Sequence, residues 1–221
     1  MLTRRMFVCG TPFILAGCVT QDRPGLMAGD EHDPRHAAIY GAVSGEPFAV
    51  PAVDLSRIDP KYYRREVAYL TREPVGTIVV DLAQRFAYLV QEGGRAIRYG
   101  VGVGRDEAFN FRGAATIARK AEWPRWVPTP SMIKREPKRY GPYASGMDGG
   151  IDNPLGPRAL YLYANGQDTY YRLHGTVEPW TIGTMVSSGC VRLINQDIID
   201  LYRRVPVGTR VVVLPAHGDV A

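Results

Sequence analysis

Cysteine, histidine and long apolar runs are scarce in this sequence. It contains three cysteines and four histidines among 221 residues, and it lacks an apolar run of the roughly 20 residues that a membrane-spanning helix needs. Neither sign of charge dominates, because 27 basic and 22 acidic residues give a net charge of +5. No stretch interleaves basic and aromatic residues as a nucleic-acid-binding surface would, so we expect no nucleic-acid partner. The remaining composition, 45% hydrophobic and 22% charged, suits one principal globular domain.

The first 17 residues have the pattern of an export signal. MLTRRM carries two arginines and no acid, FVCGTPFILA is a short apolar run, and LAGC follows at residues 15–18. LAGC resembles the bacterial lipobox, whose cysteine receives lipid and becomes the first residue of the mature protein. We therefore predict a signal peptide over residues 1–17 and lipidation of Cys18. An uncleaved signal anchor or an ordinary signal-peptidase site is the alternative.

The export route and the final membrane stay open. TRRMF resembles a twin-arginine motif, but the same arginines serve equally well as the positive start of a Sec signal. Val19 follows the predicted lipidated cysteine, and the absence of Asp there disfavours inner-membrane retention only weakly. Removal of residues 1–17 leaves a net charge of +3, which is compatible with a polyanionic cell wall.

Export makes the third cysteine informative. Cys9 would leave with the signal and Cys18 would be lipidated, so Cys190 has no intramolecular partner. An odd cysteine in an exported protein is either buried and inert or kept for its reactivity. Its sequence context must decide between the two.

Short β-branched and aromatic runs separated by turn residues begin near residue 75 and indicate strands. The predicted strands are GTIVVDL (76–82), RFAYLVQ (85–91), AIRYGVGVG (96–104), ALYLY (159–163), TYYRLHG (169–175) and GTRVVVLP (208–215). NQDIIDLYRRV (195–205) has the apolar spacing of a helix, with Asn195 as its N-cap. We therefore predict a mainly β domain over residues 74–215 with one or two short helices, followed by a C-terminal tail over residues 216–221.

Irregular segments precede and interrupt this domain. Residues 18–73 are rich in Pro, Gly and short polar residues and show little periodicity, which predicts a tether between membrane and domain. Residues 121–158 and 176–189 are long irregular stretches within the domain. Such lengths are typical of lids and binding sites.

Two patterns that resemble cofactor sites lack the required context. His32 and His36 are four residues apart, but Pro34 between them breaks the helix that such a metal pair would need. GVGVGRD (100–106) is glycine-rich, but no helical periodicity follows it as a dinucleotide fingerprint requires. We therefore expect no metal ion and no cofactor.

HGT at residues 174–176 and SSGC at residues 187–190 together offer the parts of a cysteine-nucleophile site. Such a site needs a thiolate, a base, a group that orients the base and N–H groups that hold an oxyanion. His174 ends a predicted strand as the candidate base, and the Gly175 carbonyl can accept from its imidazole. Gly189 lets the backbone bend before Cys190, so that the amides of residues 188–190 can converge. Each piece alone is also typical of ordinary packing, but the unpaired exported thiol favours catalysis.

The pattern H-G-T…S-S-G-C-V-R-L, with Cys190 sixteen positions after His174, resembles the signature of the L,D-transpeptidases, the YkuD or ErfK/YbiS/YcfS/YnhG family of cell-wall enzymes. The likeness extends over roughly residues 74–215 and includes NPLGPRALYLY and VPVGTRVVVL. The resemblance implies a β-sandwich-like catalytic domain with a capping loop, for which residues 121–158 are in the right place. It also implies an enzyme that acts on peptidoglycan stem peptides, and together with the lipobox-like LAGC it predicts a periplasmic, membrane-anchored lipoprotein.

The resemblance also implies roles for individual residues. Cys190 would attack the carbonyl of the third residue of a stem tetrapeptide and expel the terminal D-alanine. His174 would be the general base and then the proton donor to the leaving amine. The Gly175 carbonyl would hold the imidazole tautomer, and the amides of Ser188, Gly189 and Cys190 would form the oxyanion hole. The expected substrate-binding residues are Ser187, Arg192, Trp123 and Tyr143, with a structural salt bridge as the alternative for Arg192 and ordinary packing as the alternative for the aromatic residues.

Ser188 stands where the commonest family motif, S-H-G-C, has histidine. Serine donates a hydrogen bond but carries no charge, so thiolate stabilisation or acceptor choice can differ. The acyl acceptor stays open: an amine gives a 3→3 crosslink, D-amino-acid exchange or attachment of an outer-membrane protein. Water would make the protein an L,D-carboxypeptidase or a hydrolase of wall links. A catalytically inactive peptidoglycan-binding lipoprotein is the remaining alternative.

Overall fold

The computed structural model describes residues 34–105, 110–187 and 189–214. The predicted signal peptide, Cys18, Ser188 and the C-terminal tail lie outside the described residues. Within these ranges no helix is both long and apolar enough to span a lipid bilayer.

Strands make up most of the regular structure in the described chain, so the predicted mainly β fold is confirmed. They are β1 (Arg65–Ala68), β2 (Ile78–Asp81), β3 (Phe86–Gln91), β4 (Arg95–Gly100), β5 (Val103–Gly104), β6 (Gly113–Glu122), β7 (Arg158–Ala164), β8 (Gln167–His174), β9 (Met185–Ser187), β10 (Val191–Arg192) and β11 (Arg210–Leu214). The α-helices of the described ranges number four, all short, where the sequence predicted one or two. They are α1 (Pro34–Ile39), α2 (Pro130–Arg135), α3 (Pro137–Tyr140) and α4 (Asn195–Arg204).

Nine of these strands form one mixed sheet in the order β1-β4-β3-β2-β11-β6-β7-β8-β10, and β5 pairs with β9 separately. The β2–β3, β3–β4 and β7–β8 pairs are antiparallel hairpins, as the turn residues between them predict. Strands β11 and β10 pair in parallel with β2 and β8. The sheet therefore ends, beside β8, in a two-residue edge strand that begins directly after Cys190.

Strand β6 is the one long strand of the described sheet that the sequence pattern did not indicate. Of its ten residues, only Ala115 and Ile117 are buried, and many of the others are small or charged. A register shift between Ile117 and Arg119 further disrupts the period of two that identifies a strand. The strand forms because it completes the hydrogen-bond ladders of β7 and β11, which is a non-local cause.

Both faces of the sheet are covered. In β2, Ile78 and Val80 belong to one apolar cluster and Val79 belongs to another, because successive side chains of a strand point to opposite faces. Helix α4 packs on β7 and β8 and contributes Ile198 and Leu201 to the first cluster. Burial on both faces explains why β2 and β3 read as nearly continuous apolar runs.

The N-terminal segment supplies the cover of the second face. Tyr40, Ile58 and Tyr63 are almost fully buried in the second cluster, and β1 pairs with β4 in the main sheet. Residues 34–68 of the predicted tether are therefore packed on the domain. Isolated aromatic residues among Pro and Gly have no periodicity, so the sequence pattern concealed this packing.

A buried ion pair fixes the same segment to the base of the cap. Both terminal guanidinium nitrogens of Arg158 donate to Glu46, at 2.8 Å from Nη1 to Oε2 and 2.6 Å from Nη2 to Oε1. The Trp123 indole N–H donates to the same carboxylate at 2.9 Å. Since Trp123 lies near the start of residues 121–158, the Glu46 carboxylate joins the N-terminal segment to the predicted cap.

Candidate active site

His174 is the last residue of β8 and is buried between two neighbouring strands. It is paired with Ala159 of β7 and with Arg192 of β10. Its Nδ1 lies 2.6 Å from the Gly175 carbonyl oxygen. A carbonyl only accepts, so Nδ1 carries the proton and Nε2 keeps a free lone pair in the neutral ring. Burial lowers the pKa of His174 to about 3, helped by Arg192 and opposed by the bond to Gly175, so the imidazole is neutral at physiological pH.

The turn after His174 requires a glycine and is held by Asn195. A Cβ at Gly175 would lie 2.3 Å from the Asn195 Oδ1 and 2.9 Å from the Pro157 Cδ. The same Asn195 oxygen accepts from the Thr176 N–H at 2.9 Å. The predicted role of Asn195 as a helix N-cap is therefore wrong: Ile194 occupies the N-cap position, without a side-chain cap bond, and the Asn195 amide serves the turn that presents the Gly175 carbonyl.

Cys190 follows a tight turn that Ser187 stabilises. Gly189 has φ of +130°, in a region that favours glycine. The Ser187 hydroxyl donates to the Cys190 carbonyl at 2.7 Å and accepts from the Gly189 N–H at 3.1 Å. The Gly189 amide, predicted as an oxyanion donor, is thus engaged by Ser187 in this structure. The parallel pairing of Val191 with Leu173 places Cys190 level with Arg172.

Cys190 and His174 line the same cavity, whose volume is about 750 Å³. Its walls come from β8, from residues 176–189 and from the predicted cap. Arginines outnumber acids among the lining residues. The arginines are Arg119, Arg125, Arg135, Arg139, Arg172 and Arg192, and the acids are Asp152, Asp168 and Glu178. The cavity therefore suits a substrate that carries carboxylates.

The Cys190 thiol is free and partly exposed. Its sulfur lies 3.8 Å from the Tyr170 carbonyl oxygen, to which it donates. Burial raises the pKa of the Cys190 thiol, while Arg172 and Arg192 act in the opposite direction. Since the His174 imidazole is neutral as well, both side chains are uncharged in this cavity at physiological pH.

The predicted substrate-binding residues divide into two groups. Arg192 and Tyr143 line the cavity, and Arg192 also pairs with Glu178 at 3.1 Å. Ser187 lines the cavity as well, but its hydroxyl is used in the turn before Cys190. Trp123 is not among the lining residues, because its indole is turned to Glu46 and its ring packs on Phe48.

Arg172, Tyr170 and Asn195 are site residues that the sequence reasoning missed. Side chains two apart in a strand share a face, so the run TYYRLHG already placed Arg172 beside His174. That signal was available in the sequence. The contributions of Tyr170 and Asn195 depend on a bulge and on a tertiary contact, which no local pattern indicates.

A cysteine and a neutral histidine that line one cavity at the edge of a β-sheet are the side chains that enzymes with a cysteine nucleophile use. Residues 76–213 match the family model of YkuD, the L,D-transpeptidase catalytic domain. The chain therefore belongs to the L,D-transpeptidase catalytic-domain family. This confirms the resemblance that the H-G-T and S-S-G-C motifs carry.

Relatives were found among curated proteins and among solved structures. ErfK/SrfK of Escherichia coli K12, named a probable L,D-transpeptidase, is 36% identical over 141 residues, which are 62% of this chain and 43% of that protein. YbiS of the same strain, also named a probable L,D-transpeptidase, is 36% identical over 138 residues, 61% of this chain and 43% of that protein. The match thus spans less than half the length of these relatives. A crystal structure from Brucella melitensis, described as a probable carnitine operon oxidoreductase, is 53% identical and covers 73% of this chain and 99% of that chain, with a TM-score of 0.49.

Proposed function

We propose that the protein is a periplasmic peptidoglycan L,D-transpeptidase in which Cys190 is the nucleophile and His174 the general base. One observation carries the proposal: the Gly175 carbonyl fixes the His174 tautomer at 2.6 Å, within the same cavity that holds the Cys190 sulfur. The free lone pair on Nε2 is what a base for a thiol needs. Membership of the L,D-transpeptidase family supports peptidoglycan as the substrate, and within it we propose the stem peptides.

The reaction proceeds in two acyl-transfer steps. The S–H proton of Cys190 passes to Nε2 of His174, and the thiolate attacks the carbonyl carbon of the third residue of a stem tetrapeptide. The C–N bond to the terminal D-alanine then breaks, and the imidazolium returns its proton to the leaving amine. An amine acceptor attacks the thioester, its proton passes through His174, and the C–S bond breaks to regenerate the thiol. The Gly175 carbonyl stabilises the imidazolium in both steps because it accepts from Nδ1–H.

The anchoring proposal rests on the sequence. LAGC at residues 15–18 is the basis for export, cleavage and lipidation at Cys18. Labelled palmitate fed to cells should enter the wild-type protein and should be absent from Cys18→Ser. Cys9→Ser is the matched control and should still be labelled. Equal labelling of all three proteins would refute a lipid anchor at Cys18.

Acylation of the purified protein tests the nucleophile. A carbapenem, which mimics the acyl substrate, should add its mass to Cys190 and leave Cys190→Ala unmodified. His174→Gln should retain the fold and acylate far more slowly. An intact mass spectrum without an adduct on the wild-type protein would contradict the proposal.

The products identify the acceptor. Incubation with a disaccharide-tetrapeptide should release D-alanine and give 3→3 linked dimers or, with added D-amino acids, exchanged stems. Tripeptides alone would identify a carboxypeptidase. If the substrate is unchanged and the protein binds sacculi, the protein is the catalytically inactive peptidoglycan-binding lipoprotein instead.

A further inference from the structure

Strand β8 carries a bulge directly beside the Cys190 sulfur. The pairs Tyr161–Arg172 and Tyr163–Asp168 enclose one residue on β7 and three residues on β8. Within this bulge Tyr170 has φ of +62°, which is unfavourable for a residue with a side chain. Its backbone is held there because the Tyr170 N–H donates to Asp168 Oδ1 at 2.8 Å.

The bulge turns the Tyr170 carbonyl towards the site, where two donors share it. The Cys190 sulfur lies 3.8 Å from this oxygen, and the Arg172 Nη1 lies 2.5 Å from it. The guanidinium and the thiol therefore meet at one acceptor. Arg172 also lies level with Cys190 in the parallel pairing of β8 with β10, and both residues line the same cavity.

Arg172 is held firmly in this position. Its guanidinium packs over the Tyr161 ring, with 4.7 Å from Cζ to the ring centroid, and its Nη2 lies 3.6 Å from Asp168 Oδ2. Only 20% of its side chain is exposed. A planar guanidinium can serve several acceptors at once from a fixed place, which a lysine ammonium cannot.

The other charged and titratable groups near the sulfur do not duplicate this contact. Arg192 lowers the pKa of Cys190 less than Arg172 does and is paired with Glu178. His174 is neutral before the reaction, and the Tyr171 phenol is uncharged at physiological pH because burial and the nearby Cys190 raise its pKa. Arg172 is thus the cation that shares an acceptor with the reacting sulfur.

We propose that Arg172, held on the Tyr170 carbonyl, is a positioning residue whose positive charge stabilises the Cys190 thiolate once the thiol proton has moved to His174. The hydrogen bond from the thiol to the Tyr170 carbonyl is lost in that step, and the guanidinium bound to the same carbonyl then lies beside a negatively charged sulfur. The proposal rests on the proposed function for its place in the reaction. Its charge argument depends only on the geometry around the sulfur.

The test measures the Cys190 thiol without any substrate. The rate of iodoacetamide alkylation is followed against pH on the full chain, with the peptide that contains Cys190 quantified by mass spectrometry. Loss of this nearby cation should raise the apparent pKa of Cys190 by about one unit in Arg172→Gln, which slows alkylation at neutral pH about tenfold. Arg119→Gln is the matched control, because Arg119 also packs over the Tyr161 ring, at 3.8 Å, and lines the cavity. Its profile should coincide with that of the wild type.

Identical profiles for Arg172→Gln, Arg119→Gln and wild type would overturn the proposal. Circular dichroism and melting show whether Arg172→Gln is folded. If it is not, Arg172→Lys against Arg119→Lys carries the test, with a rise of about half a unit expected only in the former because one ammonium cannot both bind the carbonyl and lie beside the sulfur.

The outcome is separable from that of the proposed function. A shifted thiol profile in a protein that transfers no stem peptide would keep the role of Arg172 and refute the transpeptidase. If the wild type transfers stem peptides normally and Arg172→Gln has an unshifted thiol profile, the transpeptidase function stands and the role of Arg172 is refuted.

Discussion

Replacing Glu46 by glutamine keeps the shape of the side chain and removes the charge that neutralises Arg158. The two side chains are only 5% and 7% exposed, and loss of one partner from a buried pair costs roughly 3–5 kcal/mol. The Glu122 carboxylate, 3.8 Å from the Arg158 Nε, supplies part of the missing charge. We therefore expect the lower end of the range, about 3 kcal/mol of unfolding free energy.

Urea unfolding followed by tryptophan fluorescence measures this loss, and thermal unfolding should show a midpoint lower by roughly 6–12 °C. Glu66→Gln is the matched control, since Glu66 pairs with Arg95 at the surface, where both side chains are about half exposed. The control should lose less than about 1 kcal/mol. Equal unfolding midpoints for the two variants would refute the claim that the buried pair holds the N-terminal segment in place.

The pH dependence of the unfolding free energy provides a second test of the same ion pair. Burial raises the pKa of Glu46, but its bonds from Arg158 and Trp123 outweigh that effect, so the pKa lies below its usual value. A lowered pKa in the folded state means that the stabilisation is present above the unfolded pKa of about 4.3 and is lost as the pH falls through the folded value. The difference in unfolding free energy between the wild type and Glu46→Gln should therefore become smaller below about pH 4.

Three further changes test the site and its support. Asn195→Ala removes the acceptor of the Thr176 N–H, so acylation of Cys190 by a carbapenem should slow about tenfold, with about 1 kcal/mol lost on unfolding; an unchanged acylation rate would contradict the role of Asn195. Burial raises the pKa of Asp197 to about 7, so the melting temperature of the wild type should fall as the pH rises from about 4 to about 7 and then level off. The melting temperature of Asp197→Asn should change less over this range, and parallel curves would contradict this. Tyr170→Gly relieves an unfavourable φ, so its unfolding free energy should stay within about 1 kcal/mol of the wild-type value or exceed it. A larger loss of unfolding free energy, measured by urea denaturation, would show that the Tyr170 side chain is needed for stability.

The site motifs could be predicted from the sequence because the residues that interact are close together along the chain. His174 and Gly175 are adjacent, and the strand that ends at His174 follows from its β-branched and aromatic residues, so the imidazole–carbonyl contact could be expected from the sequence. The predicted strand at residues 76–82 and the helix at residues 195–205 also match β2 and α4 closely. Local propensity and the family signature agree in these segments.

The rest depends on contacts between distant parts of the chain. Strand β6 forms because two neighbouring strands need a partner, and residues 34–68 fold because isolated aromatic side chains find the second face of the sheet. Trp123 was expected in the substrate groove and instead binds Glu46, 77 positions away. Such pairings have no period or motif that a single sequence can reveal.

The aromatic cover of the second face makes the folding unit longer than the family match. The match begins at residue 76, whereas Tyr62 and Tyr63 pack over Val79, Phe86 and Tyr88 in the second cluster. A fragment that begins at residue 76 would expose those strand side chains to water as one hydrophobic patch. It would also lose β1, which covers the outer edge of β4. Such a fragment would be prone to aggregate even though it contains the complete catalytic signature, so truncations for crystallisation or enzymology should begin before Pro34.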